Sequence, residues 1–202
     1  MQIDVINLGP MDNCTYLVSQ DGKALLIDPA WDMNFLTHTL AQKKLTLLAV
    51  FFTHGHFDHV KFAQQLLQET GVKGYLEQQD LPLAGIDPQF LHLYSGAQTF
   101  DIGPFHVQVL PTPGHTAGGV CLQIEDALFT GDTLFPGACG RVDLPTSNPR
   151  HMAQSLVKLA RLPEDTRIFA GHSYGGKCSS TIGFERVKNP FMRNALRGEE
   201  NI

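Results

Sequence analysis

The chain has 202 residues, 43% of them hydrophobic and 17% charged, the make-up of an ordinary globular protein with room for a substantial core. A formal net charge of -5 and a pI near 5.9, with no block of lysine or arginine, argue against a nucleic-acid partner. No stretch stays apolar for the roughly 18 residues a membrane helix needs, and the opening MQIDVINLGP lacks the basic and apolar regions of a signal peptide. A cytoplasmic protein with no membrane partner is therefore expected.

The first third reads as strands, QIDVINLG, CTYLVSQ and KALLIDPA, with Gly9-Pro10 and Asp21-Gly22 as turns and the second pair marking a hairpin. Met33, Leu36, Leu40 and Ala41 then recur at helical spacing through about Lys43, and LTLLAVFFT follows as a buried strand. Phe62, Ala63, Leu66 and Leu67 predict a helix from Val60 to Thr70, stopped by Gly71, before a short strand in VKGYL. Residues 77–99 mix Pro, Gly, Asp and isolated apolar residues without a period and read as a loop with one helical turn. PFHVQVLP, VCLQIED and ALFTGD resume the strands. Asn148-Pro149 opens a helix through about Arg161 that buries Met152, Leu156, Leu159 and Ala160. TRIFAGH is one more strand, and TIGFERVKNP a final short helix ending near Pro190. Strands and helices mixed in both halves imply sheets sandwiched between helices. No linker divides the chain, so one domain over residues 1–202 is expected. Cys14, Cys121, Cys139 and Cys178 are scattered without a C-x-x-C pair and read as reduced thiols, Cys121 as a small buried hydrophobe.

The chemistry concentrates in FFTHGHFDHV, where His54, His56, Asp58 and His59 follow a strand and precede a helix, a spacing that aims several metal-ligating groups at one point. Three other strand-like runs end the same way, in His115 (LPTPGH), Asp132 (ALFTGD) and His172 (TRIFAGH). If those strand ends meet at one edge, seven ligands converge, enough for two metals. A bridging group must offer two oxygens, so Asp132 is the natural bridge. His38, His92, His106 and His151 lack this context and read as surface or hydrogen-bonded residues.

Together THGHFDH, His115 in PTPGHT, Asp132 in FTGD and His172 in AGH resemble the metallo-β-lactamase fold superfamily. DNCTYLV, LIDP, GACGRVD and the tail GHSYGGKCSSTIGFERVKNPFMR look most like its glyoxalase II-like hydrolases and the related persulfide dioxygenases. The resemblance implies an α/β fold, an αββα sandwich with metals at one edge of its two sheets. One metal would take His54, His56 and His115, the other Asp58, His59 and His172, with Asp132 between them. Asp58 and Asp132 would be the catalytic carboxylates, and the ions two divalent cations, zinc first, with iron or manganese as the other fits. Asp28 in LIDP would orient a ligand or a loop, or else cap the turn at Pro29. Arg141 and Tyr174 resemble residues lining a thiol-substrate pocket; the alternatives are an ion pair of Arg141 with Asp143 and packing of Tyr174 at the sheet edge.

What this implies is a glyoxalase II-like thioesterase in which a hydroxide held between two metals attacks the carbonyl of a small-molecule thioester, glutathione-derived substrates among them. Only 30 residues follow His172, so the helical C-terminal domain of full glyoxalase II, part of its glutathione grip, is expected to be missing. The main rival is an Fe(II) persulfide dioxygenase holding one ion by His54, His115 and Asp132. A secreted β-lactamase fits less well, and a non-catalytic binding module would be expected to have lost ligands.

Overall fold

Period-two alternation along the strands sorts the apolar residues into three cores. A computed structural model describes residues 1–174 and 176–198. Its first sheet runs in spatial order through β1 (Gln2–Leu8), β2 (Asn13–Gln20), β3 (Lys23–Ile27), β4 (Thr46–Phe51), β5 (Gly74–Glu77) and β6 (Leu91–Tyr94). The second contains β7 (Gln98–Ile102), β8 (Phe105–Pro111), β9 (Val120–Ile124), β10 (Ala127–Gly131), β13 (Arg167–Ala170) and β14 (Ser179–Thr181), in spatial order β14-β13-β10-β9-β8-β7. A two-stranded ribbon, β11 (Leu134–Phe135) with β12 (Ala138–Cys139), completes the strands. The helices are α1 (Met33–Gln42), α2 (Phe57–Val60), α3 (Ala63–Thr70), α4 (Leu81–Ala84), α5 (Pro149–Leu159), α6 (Ile182–Lys188) and α7 (Pro190–Leu196).

On β2, Cys14, Tyr16 and Val18 point between the sheets, where they meet Phe105, Val107, Phe129 and Phe169. Leu17, one residue out of phase, points the other way and joins Leu26 and Val50 against Met33 and Leu36 of α1 and Leu66 of α3. The second sheet repeats the arrangement, with Leu128 and Ile168 packing outward on Met152, Leu156 and Leu159 of α5 and Met192 of α7. The result is the four-layered αββα sandwich. Fully burying each such side chain contributes about 1.5–3 kcal/mol, so the layers are held mainly by these three cores. Among the described residues no helix is long and apolar enough to cross a membrane.

The Asp21-Gly22 hairpin is present: both residues have positive φ, 51° and 72°, and Gln20 pairs with Lys23, as a tight two-residue turn requires. Three sequence expectations are corrected. The helix expected over Val60 to Thr70 is two, α2 and α3, broken at Lys61 and Phe62, since apolar spacing continues across a break that only the backbone reveals. Residues 77–99 hold two 3-10 turns, α4, β6 and the start of β7; strands of four or five residues are too short to show a period against their Pro and Gly neighbours. The chain is also helical again after Pro190. Proline suits the first helical position, and the Asn189 side chain caps α7 by accepting from Phe191 N and Met192 N.

β8, β10 and β13 run in one direction, since β8 and β10 both pair antiparallel with β9 and β10 pairs parallel with β13. Their C-terminal ends share an edge with that of β4, as the hydrogen bonds Val120 N to Thr53 O (2.9 Å) and Cys14 N to Gly171 O (2.8 Å) join the two sheets there.

Candidate metal centre

Each of those four strands releases its chain at the common edge, into loops carrying His54 and His56, His115, Asp132 and His172. Asp58 and His59 sit in the single turn of α2. His54, Asp58, His59, His115, Asp132 and His172 are buried, and His56 is half-buried. The structure brings all seven together in two sets. Ligand atoms of His54, His56 and His115 lie within 4.8 Å of one another, as do those of Asp58, His59 and His172. Asp132 stands between the sets, its Oδ2 3.5 Å from His115 Nε2 and 3.3 Å from His172 Nε2.

Hydrogen bonds on the outer side of each ring decide which nitrogen faces inward. His115 Nδ1 donates to the Arg141 carbonyl (2.9 Å) and His172 Nδ1 to the Met11 carbonyl (2.8 Å). His59 Nδ1 donates to Asp28 Oδ2 (3.0 Å). Thr53 Oγ1 gives its own proton to Asp28 Oδ2 (2.6 Å) and so accepts from His54 Nδ1 (3.1 Å). Four imidazoles thereby turn Nε2 toward the centre, and His56 turns Nδ1 inward, 2.9 Å from His115 Nε2.

This donor set fits divalent cations. Two ligands about 2.0–2.1 Å from a tetrahedral ion stand about 3.3 Å apart. His59 and His172 are separated by 3.2 Å, His172 and Asp58 by 3.3 Å, and His59 and Asp58 by 3.6 Å. His54 Nε2 and Asp132 Oδ1 are buried without a hydrogen-bond partner, a state that otherwise costs stability. Gly171 lets the backbone pass against Asp132, because a Cβ there would collide with Asp132 Oδ1.

The electrostatics agree. Burial and the neighbouring imidazoles push His54 far down, and burial together with His115 lowers His56. Burial alone would raise Asp58 and Asp132, but hydrogen bonding to His172 and the charge of His59 hold both below the usual carboxylate range. For His172 burial works downward, yet hydrogen bonds to Asp132 and Asp58 prevail and push it up to about 10.

The other expected residues are also accounted for. Asp28 spends its carboxylate on Thr53 and His59 rather than on the turn at Pro29. Its φ of 50° and those of Asp12 (56°) and Tyr174 (43°) place left-handed backbone around the site, where strain often accompanies function. Arg141 forms the ion pair with Asp143, both contacts at 2.9 Å, and it also lines the groove above the centre. Tyr174 stacks flat on His172, ring centroids 4.9 Å apart and planes within 7°. His38, His92, His106 and His151 are exposed; His106 bonds Asp101 at 2.7 Å. Sequence reading missed Asn13, whose Nδ2 donates to both Asp58 O and Asp58 Oδ2 at 3.0 Å while Trp31 Nε1 holds its Oδ1 at 3.1 Å. A lone Asn opening an apolar strand was the available signal.

An αββα sandwich with histidines and aspartates gathered where its strands end defines a metallo-hydrolase type of protein. A sequence model of the metallo-beta-lactamase superfamily matches residues 9–172, and the chain belongs to that superfamily. It is 34% identical over 168 residues to the probable polyketide biosynthesis zinc-dependent hydrolase BaeB of Bacillus velezensis, covering 82% of this chain and 75% of that one. It is 37% identical over 163 residues to a hydroxyacylglutathione hydrolase of Shewanella halifaxensis, covering 77% of this chain and 58% of that one. Of solved structures, ETHE1 from Myxococcus xanthus matches with a TM-score of 0.85 at 27% identity over 100% of this chain and 92% of that one. The BLEG-1 B3 metallo-beta-lactamase matches at 0.84 and 31%, over 95% and 99%. Such differently named proteins on one fold leave the substrate to be read from the groove.

Proposed function

We propose that the chain is a hydrolase that uses two divalent cations, zinc first, to cleave thioesters of small thiols, glutathione-derived ones such as S-D-lactoylglutathione among them. The observation that carries this reading is the pair of donor sets with one carboxylate, Asp132, within 3.5 Å of a histidine of each. Two cations held by those sets would bring the pKa of a water between them to about 7 and polarise the substrate carbonyl.

The chain's own groups do the rest. The groove over the centre, about 610 Å³, has the size of a small-molecule site. Met11, Phe57, Leu83 and Leu144 on its walls take the apolar part of the substrate and keep bulk water away. Arg141 at its rim suits a substrate carboxylate, its charge shared with Asp143. Asp58, fixed by two hydrogen bonds from Asn13, would hold its cation in place beside the substrate; the water so acidified gives its proton to solvent before its oxygen adds to the carbonyl carbon. The C–S bond then breaks, the sulfur leaves with the electron pair as thiolate, and it takes up a proton on release.

The likeness to ETHE1 favours a second reading equally, a persulfide dioxygenase holding a single iron by His54, His115 and Asp132. Parallel assays of thioester hydrolysis, persulfide-dependent oxygen uptake and β-lactam cleavage on one preparation separate the readings. Thioester hydrolysis that is abolished in Asp132→Ala is the expected result; hydrolysis unchanged in that variant, or oxygen uptake alone, overturns the proposal.

A further inference from the structure

Asp80 lies outside the seven residues, in the 3-10 turn Gln78–Asp80 that follows β5, and it is fully buried. Its Oδ2 accepts from Gly55 N (2.8 Å) and Thr116 Oγ1 (2.7 Å), and its Oδ1 accepts from Gly118 N (2.7 Å). Gly55 separates His54 from His56, and Thr116 follows His115. One carboxylate therefore ties together the two loops that carry all three histidines of one set. The approach is close: a Cβ on Gly118 would stand 2.7 Å from Asp80 Oδ1 and 2.8 Å from Glu77 Oε2.

The other set has different supports. Asn13 holds Asp58, the Met11 carbonyl holds His172, and Asp28 holds His59. Among the described residues Asp80 makes no hydrogen bond to Asp58, His59 or His172. We propose that Asp80 is a positioning residue that sets the His54–His56–His115 cation site alone, while Asn13 serves the opposite site. This rests on the two-cation reading above. Only a carboxylate meets all three donors with acceptor oxygen. An amide keeps one oxygen and turns an NH₂ group toward either Gly118 N or Gly55 N; the Thr116 hydroxyl can rotate to accept, but in both orientations a backbone N–H of one histidine-bearing loop is left buried and facing a donor.

The test is a zinc titration of the intact, metal-stripped chain against a competing chromophoric chelator, for wild type, Asp80→Asn and Asn13→Ala. Wild type is expected to bind two ions. Asp80→Asn should weaken one step by about 10- to 100-fold, the range for outer partners of metal ligands, and leave the other step unchanged. Cobalt-loaded Asp80→Asn and Asn13→Ala should give different visible spectra, because beside Asp132 the better-held ion has Asp58, His59 and His172 in the first and the three imidazoles of His54, His56 and His115 in the second. Should Asp80→Asn fail to fold, Thr116→Val removes a single donor at constant size, weakens the same step, and is rescued by Thr116→Ser. Two ions in wild type with both steps weakened alike, neither weakened, or identical cobalt spectra, overturns the inference alone. One ion in wild type overturns the two-cation reading and this inference with it.

Discussion

Replacing Asp28 by Asn separates a ligand-orienting role from a merely structural one. Asp28 is buried, and its oxygens face three donors: Thr53 N (2.8 Å), Thr53 Oγ1 (2.6 Å) and His59 Nδ1 (3.0 Å). Asn keeps the volume and tolerates the left-handed backbone. With its oxygen on Thr53 N, its NH₂ group replaces the oxygen that faced the other two. The Thr53 hydroxyl can rotate and accept. His59 can accept only by shifting its proton to Nε2, the atom 3.5 Å from Asp132 Oδ1, which blocks the lone pair a metal needs. Losing a hydrogen bond to a charged group costs about 1.5–3 kcal/mol, which at about 2–4 °C per kcal/mol lowers the melting temperature by roughly 3–12 °C. Zinc affinity should fall by about 10- to 100-fold. Thermal unfolding in chelator reads the first quantity and a competitive zinc titration the second. A lowered melting temperature with unchanged zinc affinity refutes the tautomer reasoning; no change in either refutes the carboxylate contacts themselves.

Arg141→Ala should raise KM for a carboxylate-bearing thioester by a few fold and spare both kcat and metal content, because the side chain is exposed and already paired with Asp143; steady-state kinetics with elemental analysis check this. Gly171→Ala should lower stability by about 1–3 kcal/mol through overpacking and reduce metal uptake, because the added Cβ meets Asp132 Oδ1 and stands 2.8 Å from His59 Cε1; denaturant unfolding and a zinc titration read the two effects. The proton on His172 is held until about pH 10 in the metal-free chain, hydrogen bonds to Asp132 and Asp58 outweighing burial, so a cation must displace it at neutral pH. Zinc affinity is therefore expected to rise with pH, with proton release, toward that value, and calorimetry in buffers of different ionisation enthalpy measures it.

What was legible in the chain was the set of residues at the ends of apolar runs. His54, His115, Asp132 and His172 each close a strand core whose period or unbroken hydrophobicity announces it, and the sheet topology then carries them to one edge. Asn13 and Asp80 were not legible as site residues. Their partners lie far away in sequence, Asp58 being 45 residues from Asn13 and Gly118 being 38 from Asp80, and a single polar residue in a turn or at a strand end has no period to betray it. The same limit hid β6 and β7, and the break between α2 and α3 fell where Phe62 keeps the helical spacing intact. Arg141 shows a third kind of case: by residue type its side chain suits a pocket or an ion pair and it is in both, while its backbone carbonyl, invisible to any reading of residue types, orients His115.

The central claim, two cations sharing Asp132, is tested most directly by anomalous X-ray scattering from crystals of the purified protein recorded at the zinc, iron and manganese edges. The account predicts two peaks per chain, one among His54, His56 and His115 and one among Asp58, His59 and His172. A single peak bound by His54, His115 and Asp132, or none at this edge of the sheets, would contradict it.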